Sequence, residues 1–434
     1  MNYERSQINK ELESRLTYSK TFSIILFLAF FSFIFLYIRI DNPLPYYCLI
    51  FGSILVLGIA STQKLYIKIN GLQKWWIGFI IYTLLVTICT DGVLSLGKEG
   101  SAKSLILLFL IFIIILYFTQ FSSRIYFFKV IRNFMALCSI LGIIEYVTKF
   151  QFYQGFISVD AVARTYQIYG IPGTPDYRLI LFFAHPIYFS VFLTVFLIIL
   201  MYIPFNKKIV NIFFEFIGLI CLILTQSRSS WISFMIILIL YLLASNKIKK
   251  INLRYIKEIF ISIILMAMLI YILGYISPAF FQNLSKAFID RINALLISPE
   301  TASGARLANL SLLNYISNSL IIIFGGGNGY ALGLLKAHPT VNGWNSAVDN
   351  QYLTFFIDYG ILGLFIFLCF CIKCFKILFV SKDKIDKMII LSILSILITG
   401  YFFEFYQNMY VNYFLFILIA FVRENNTENS GEYK

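Results

Sequence analysis

Apolar runs long enough to cross a bilayer recur along the whole chain, and they constrain its fold more than any other feature. The runs near 21–40, 45–61, 75–91, 104–120, 127–147, 179–203, 209–226, 230–245, 257–277, 351–373, 388–403 and 406–422 carry very little charge. A helical span needs about 20 apolar residues. Within lipid only helices or closed barrels satisfy every backbone N–H and C=O. Runs this long without period-2 alternation read as helices. The expected fold is therefore all-α, a polytopic integral membrane protein of about 12 transmembrane helices with one large extracytoplasmic loop. Composition agrees, since 60% of the 434 residues are apolar and only 13% charged. A soluble chain is nearer half apolar and a quarter charged. A soluble enzyme, a disordered chain and a disulfide scaffold are thereby excluded.

The formal net charge of +14 reads as membrane topology, with no nucleic-acid partner implied. With the N-terminus inside, roughly two-thirds of the 35 Lys and Arg residues fall on inner segments, although the outer side holds the two longest loops. The reverse orientation would put the basic loop KIKKINLRYIK outside. The expected organisation is a cytoplasmic tail at 1–20, then helices within 21–277 with an outer loop at 148–178. A large extracytoplasmic loop at 278–350, helices within 351–422 and a cytoplasmic tail at 423–434 complete it. The first twenty residues are polar and charged and show no cleavable signal peptide. In the large loop, QNLSKAFIDRINALLIS and ARLANLSLLNYIS have helical apolar spacing.

Function must come from the few polar residues that such a chain tolerates. Arg164 and Arg178 lie in the first long outer loop, Arg228 in the very short connection TQSRSSW, and Arg306 in the large loop. A guanidinium is always charged and grips phosphate oxygens in a bidentate fork, so several converging at one leaflet boundary suit a diphosphate. The bland reading of each is an arginine snorkelling to headgroups, a reading weaker for Arg228, whose loop is so short that its charge must sit near the lipid boundary. Flanking Ser227, Ser229 and Ser230 are placed to hydrogen-bond Arg228. At the end of the large loop, the run GGGNGY permits a turn or close backbone approach. His338, Asp349 and Asn350 follow. Asp349 is a candidate general base, and it and Asn350 are equally candidate caps of the next helix. His185-Pro186 reads as lying within a helix, where a buried histidine is more often structural.

Other classes lose support from what is missing. There is no Walker A motif, no Gly-rich dinucleotide fingerprint and no D-x-D-type carboxylate pair on an expected cytoplasmic loop. Cys369, Cys371 and Cys374 sit in an apolar helix without partner ligands, so no metal or cofactor is expected. Acidic residues in mid-span, which a coupled carrier needs, are scarce; Glu145 and Asp358 are the nearest and both lie close to helix ends.

Three stretches together resemble the O-antigen polymerase and O-antigen ligase superfamily of bacterial surface-polysaccharide assembly. They are RLILFFAHPIYFSVFL, carried by Arg178, His185 and Pro186; LTQSRSSWISF, carried by Thr225, Ser227 and Arg228; and GGGNGY…SAVDNQYLTFFIDYGILGL. The last is carried by Asp349, Asn350, Tyr352, Leu353, Asp358, Gly360 and Gly363. The resemblance implies a GT-C-like helical architecture in the bacterial cytoplasmic (inner) membrane, with both termini cytoplasmic. It implies metal-independent transfer of sugar chains from an undecaprenyl-diphosphate donor to a sugar hydroxyl at the outer face. Undecaprenyl-diphosphate-linked oligosaccharide and membrane lipids are the implied partners, with a polysaccharide chain-length regulator as a further candidate. Arg178, Arg228, Arg306 and Arg164 would hold the diphosphate. Asp349 with His338 would serve the acceptor hydroxyl, and Asn350, Tyr352 and Trp344 the sugar. These aromatics equally fit an interfacial belt. Ligases of this group usually carry His-Asn where this chain has Asp349-Asn350, a form closer to the polymerases. An O-antigen ligase and a lipid-linked oligosaccharide flippase are the competing expectations.

Overall fold

The computed structural model describes residues 17, 19–28, 69–90, 98–148, 150, 170, 177–183, 185–245, 308–316, 318–339, 347–406 and 409–423. Described in chain order are α1 (Ser19–Leu28), α2 (Gly71–Cys89), α3 (Lys98–Phe121), α4 (Arg124–Thr148), α5 (Pro186–Tyr202), α6 (Lys208–Leu224) and α7 (Arg228–Ala244). A 3-10 helix (Asn309–Tyr315) follows, then α8 (Ser319–Phe324), α9 (Tyr330–Ala337), α10 (Gln351–Val380), α11 (Lys384–Thr399) and α12 (Met409–Phe421). Among the described residues there is no strand. Four helices are long and apolar enough to cross a membrane: Gly71–Cys89, Ala102–Phe121, Arg124–Thr148 and Gln351–Val380. The runs at 45–61 and 257–277 and the segment QNLSKAFIDRINALLIS lie outside the described residues.

Packing between these helices is largely aromatic. Trp76 and Phe79 of α2 meet Phe370 and Phe355 of α10 at ring-centroid distances of 4.9 and 5.0 Å. Lipid tails are as apolar as these side chains, so close van der Waals fit, rather than expulsion of water, holds such helices together. A second, smaller cluster joins the loop to α10. Leu312, Ala331, Leu334, Leu335, Val348, Leu353 and Ile357 bury one another there.

Two boundaries differ from the sequence reading. The run 179–203 is helical only from Pro186, which occupies the first helical turn. His185 therefore starts α5 instead of lying inside it: its backbone is extended and its side chain accepts the Ile187 N–H at 3.0 Å. Leu179, Ile180 and Leu181 remain apolar because they are buried in a non-helical turn within the protein. The described part of ARLANLSLLNYIS winds as a 3-10 helix that buries Leu312 and Asn309.

Helix α10 breaks at Gly360, whose φ is 66°. The break exposes carbonyls that a helix in lipid cannot leave unpaired. The Gly-rich run supplies the missing donors: Gly326 N–H donates to Ile357 O at 3.1 Å and Gly327 N–H to Asp358 O at 2.8 Å. Tyr82 of α2 donates its hydroxyl to Tyr359 O at 3.1 Å. The Asp358 carboxylate, fully buried, accepts Gly329 N–H at 3.0 Å and Ala331 N–H at 2.7 Å, capping α9 from another helix.

The approach requires glycine on both sides. A Cβ at Gly325 would lie 2.2 Å from Asp358 O, and one at Gly360 would lie 2.4 Å from Ile323 O. Both residues also have positive φ. Gly325→Ala and Gly360→Ala are each expected to cost about 1–3 kcal/mol. Thermal unfolding of the detergent-purified protein checks this, with Gly78→Ala inside α2, which meets nothing within 4 Å, as the control that is not destabilised.

Candidate active site

Hydrogen bonds sort the connecting segments into two ends of the helical array. At one end basic and amide side chains satisfy the last carbonyls of helices. Arg132 donates to Ile203 O and Pro204 O after α5, Lys387 to Ala244 O of α7, and Asn70 to Val422 O after α12. Cations at helix C-termini are favoured by the backbone dipoles. Arg124 pairs there with Asp383 at 2.8 Å and Asp386 at 2.6 Å. A cavity of about 450 Å³ lies at this end, lined by Asn70, Gln73, Thr119, Gln120 and Arg423 among others.

The opposite end gathers the starts of α5, α7 and α10, and with them the three sequence motifs. The turn after α6 is bound to the segment before α5. Leu179 N–H donates to Leu224 O at 3.0 Å, Gln226 Nε2 to Tyr177 O at 3.2 Å, and Arg178 Nε to Thr225 O at 3.3 Å. Arg178 and the T-Q-S-R turn are thus one unit, and Arg228, half-buried, is the first residue of α7 beyond it. The described side-chain bonds of Ser227, Ser229 and Ser230 run to one another and to Ser190. Burial, and next the Arg178 guanidinium nearby, lower His185 to about 3. His185 is accordingly neutral at physiological pH, in keeping with its Nδ1 accepting a backbone N–H.

Behind Arg178, Tyr177 is fully buried and its hydroxyl donates to Glu145 of α4. This pair anchors the segment that carries the guanidinium; its one signal in the sequence was Glu145, an acid near a helix end. Three non-glycine residues among those described have positive φ: Leu181 at 49°, Gln226 at 51° and Asp349 at 54°. One lies in each of the three motifs. Such strain persists only where the surroundings enforce it, and it concentrates at functional sites.

Asp349 sits just before α10. The N-cap of that helix is Asn350, as expected, and its side chain accepts Tyr352 N–H at 3.1 Å and Leu353 N–H at 3.2 Å. Asp349 precedes it with a left-handed backbone. Tyr352 donates its hydroxyl to Leu397 O at 2.7 Å, tying α10 to α11. His338 ends α9 and is exposed, its ring stacked on Tyr315 with centroids 3.8 Å apart. Arg164, Arg306 and Trp344 lie outside the described residues. Among the described residues no three His, Cys, Asp or Glu side chains group as metal ligands.

These features define a class, a multi-pass helical membrane protein whose three sequence motifs meet at one end. Residues 213–368 match a family model described as O-antigen ligase. The match supports the O-antigen polymerase and ligase superfamily, whose members are membrane glycosyltransferase-like enzymes of polysaccharide assembly. It contains the second and third motifs, while Arg178 and His185 precede it. No curated protein matches the chain.

Tyr177→Phe would strand the Glu145 carboxylate in the interior, at a cost of about 1–3 kcal/mol. The expected result is a lower melting temperature in detergent, with a loss of activity as the Arg178 segment loosens.

Proposed function

We propose that the protein polymerises surface polysaccharide in the bacterial cytoplasmic membrane. It transfers undecaprenyl-diphosphate-linked oligosaccharide to the sugar hydroxyl of another lipid-linked repeat unit at the outer face, and both of its termini are cytoplasmic. The observation that carries this reading is the joining of Arg178 to the turn that begins α7 with Arg228, at the end shared with Asp349. Helix N-termini and guanidinium groups both favour an anion there.

In the reaction the bond between the sugar's anomeric carbon and the diphosphate oxygen breaks. The acceptor hydroxyl oxygen forms the new bond, and its proton passes to the Asp349 carboxylate. Undecaprenyl diphosphate departs with its growing negative charge held by Arg178 and Arg228, joined by Arg306 and Arg164. His338, Asn350, Tyr352 and Trp344 would serve the acceptor and its sugars. His338, exposed on the loop, and Tyr352, bound through its hydroxyl to Leu397 O, are the weaker members of that set.

Arg228→Ala should abolish long-chain polysaccharide while the protein still inserts in the membrane, a loss of about 10²–10³ in rate. Normal chain-length ladders from that variant would defeat the diphosphate role. The description of the matched family favours a second reading, an O-antigen ligase joining polymer to a lipid A core. Asp349 in place of the ligases' histidine favours polymerisation. Deletion separates the two: loss of a polymerase leaves single repeat units on the core, and loss of a ligase leaves none.

A further inference from the structure

Glu404 lies in the connection between α11 and α12, half-buried at the same end as Asp349. Its carboxylate accepts the Thr354 hydroxyl of α10 and the Val348 N–H. Those two bonds straddle Asp349 in sequence and grip the chain on either side of its left-handed backbone. A third tie runs from Gln351 N–H to Gly400 O at 2.9 Å. Gln351 is wholly buried; its Oε1 accepts Tyr406 N–H at 2.7 Å, and its Nε2 has no hydrogen-bond partner among the described residues. The segment bearing Asp349 is therefore held from two sides, by the α11–α12 connection and by the loop, where Asn309 Nδ2 donates to Val348 O at 2.8 Å.

From these contacts we infer that Glu404 is the positioning residue for Asp349, fixing the chain on either side of it and setting how much negative charge stands beside it. This rests on Asp349 being the general base. Burial raises Glu404 first, and the Asp349 charge adds to the rise, against the bonds from Thr354 and Val348; the outcome is about 7. Asp358 of α10 acts on it through charge; Tyr406, two residues on in the same connection, faces Thr83, and His185, at the start of α5, reaches the connection only through Tyr188, whose ring lies on Phe403. Glu404 holds its proton below about pH 7. Above that it ionises, placing a second negative charge beside Asp349 and opposing the leaving diphosphate.

The test is the pH profile of kcat/KM between about pH 5.5 and 9 for the full-length purified protein elongating a lipid-linked repeat unit. Wild type, Glu404→Gln, Glu404→Ala and Asp349→Asn are compared. Wild-type activity should fall as pH rises through about 7, approaching tenfold per unit. Glu404→Gln, neutral at every pH, should stay within about threefold of wild type at pH 6 and lose the alkaline decline. Glu404→Ala should lose at least tenfold at all pH values, about as expected for a displaced base. A Glu404→Gln profile with the wild-type shape would overturn the inference, as would Glu404→Gln being as inactive at pH 6 as Asp349→Asn. A wild type that elongates nothing at any pH removes the polymerase reading and this inference together. An active wild type with an unaltered variant profile removes this inference alone.

Discussion

A helix surrounded by lipid cannot leave its carbonyls unpaired, yet α10 is broken at Gly360. The break survives because another piece of the protein supplies what the helix gave up. Gly326 and Gly327 donate N–H groups to the loose carbonyls, and the Asp358 carboxylate caps α9 in return. The exchange is reciprocal, so loop and helix stabilise each other. Val348, Leu353 and Ile357 then pack on Leu312 and Leu334 from the loop. Asp349 owes its place to this docking, since it lies between a buried residue of the loop cluster and the cap of the broken helix.

The charges follow a related logic. Arg132, Lys387 and Asn70 satisfy the last carbonyls of α5, α7 and the segment after α12 at one end. At the other end α5, α7 and α10 begin with their positive poles, while α2, α4, α6 and α11 end there, so the dipoles of the whole array roughly cancel and any bias toward an anion is local to those three helix starts. Arg178 and Arg228 add full charges to a region that the backbone already biases.

Much of the helical layout was legible because it depends on long apolar runs, which lipid demands and little else explains. The start of α5 was not. Residues 179–183 are as apolar as a helix interior because they are buried against other helices, so hydrophobicity could not mark the boundary; the His185-Pro186 pair, a cap followed by a first-turn proline, could have. Asp358 read as a stray acid near a helix end, and its use as a cap in trans depends on contacts between distant segments. The pairing of Arg178 with the T-Q-S-R turn and the role of Glu404 were hidden for the same reason. A glutamate in a tight turn between two apolar runs was a signal, but its partner Thr354 stands 50 residues away.

On the proposed reading, a carboxylate at the position where O-antigen ligases usually carry histidine changes the electrostatic problem at the site. A neutral imidazole base takes on positive charge as it accepts a proton, which helps a departing diphosphate. A carboxylate base begins negative and repels that leaving group until the proton arrives. Two ionised carboxylates side by side would roughly double the repulsion in a region of low dielectric. With Asp349 as the base, a neighbouring acid is tolerable chiefly in its protonated form, and the guanidinium groups must offset the remaining charge. On the proposed reading, the Asp–Asn form of the motif, the raised affinity of Glu404 for its proton and the fastening of Arg178 to the turn between α6 and α7 answer the same constraint.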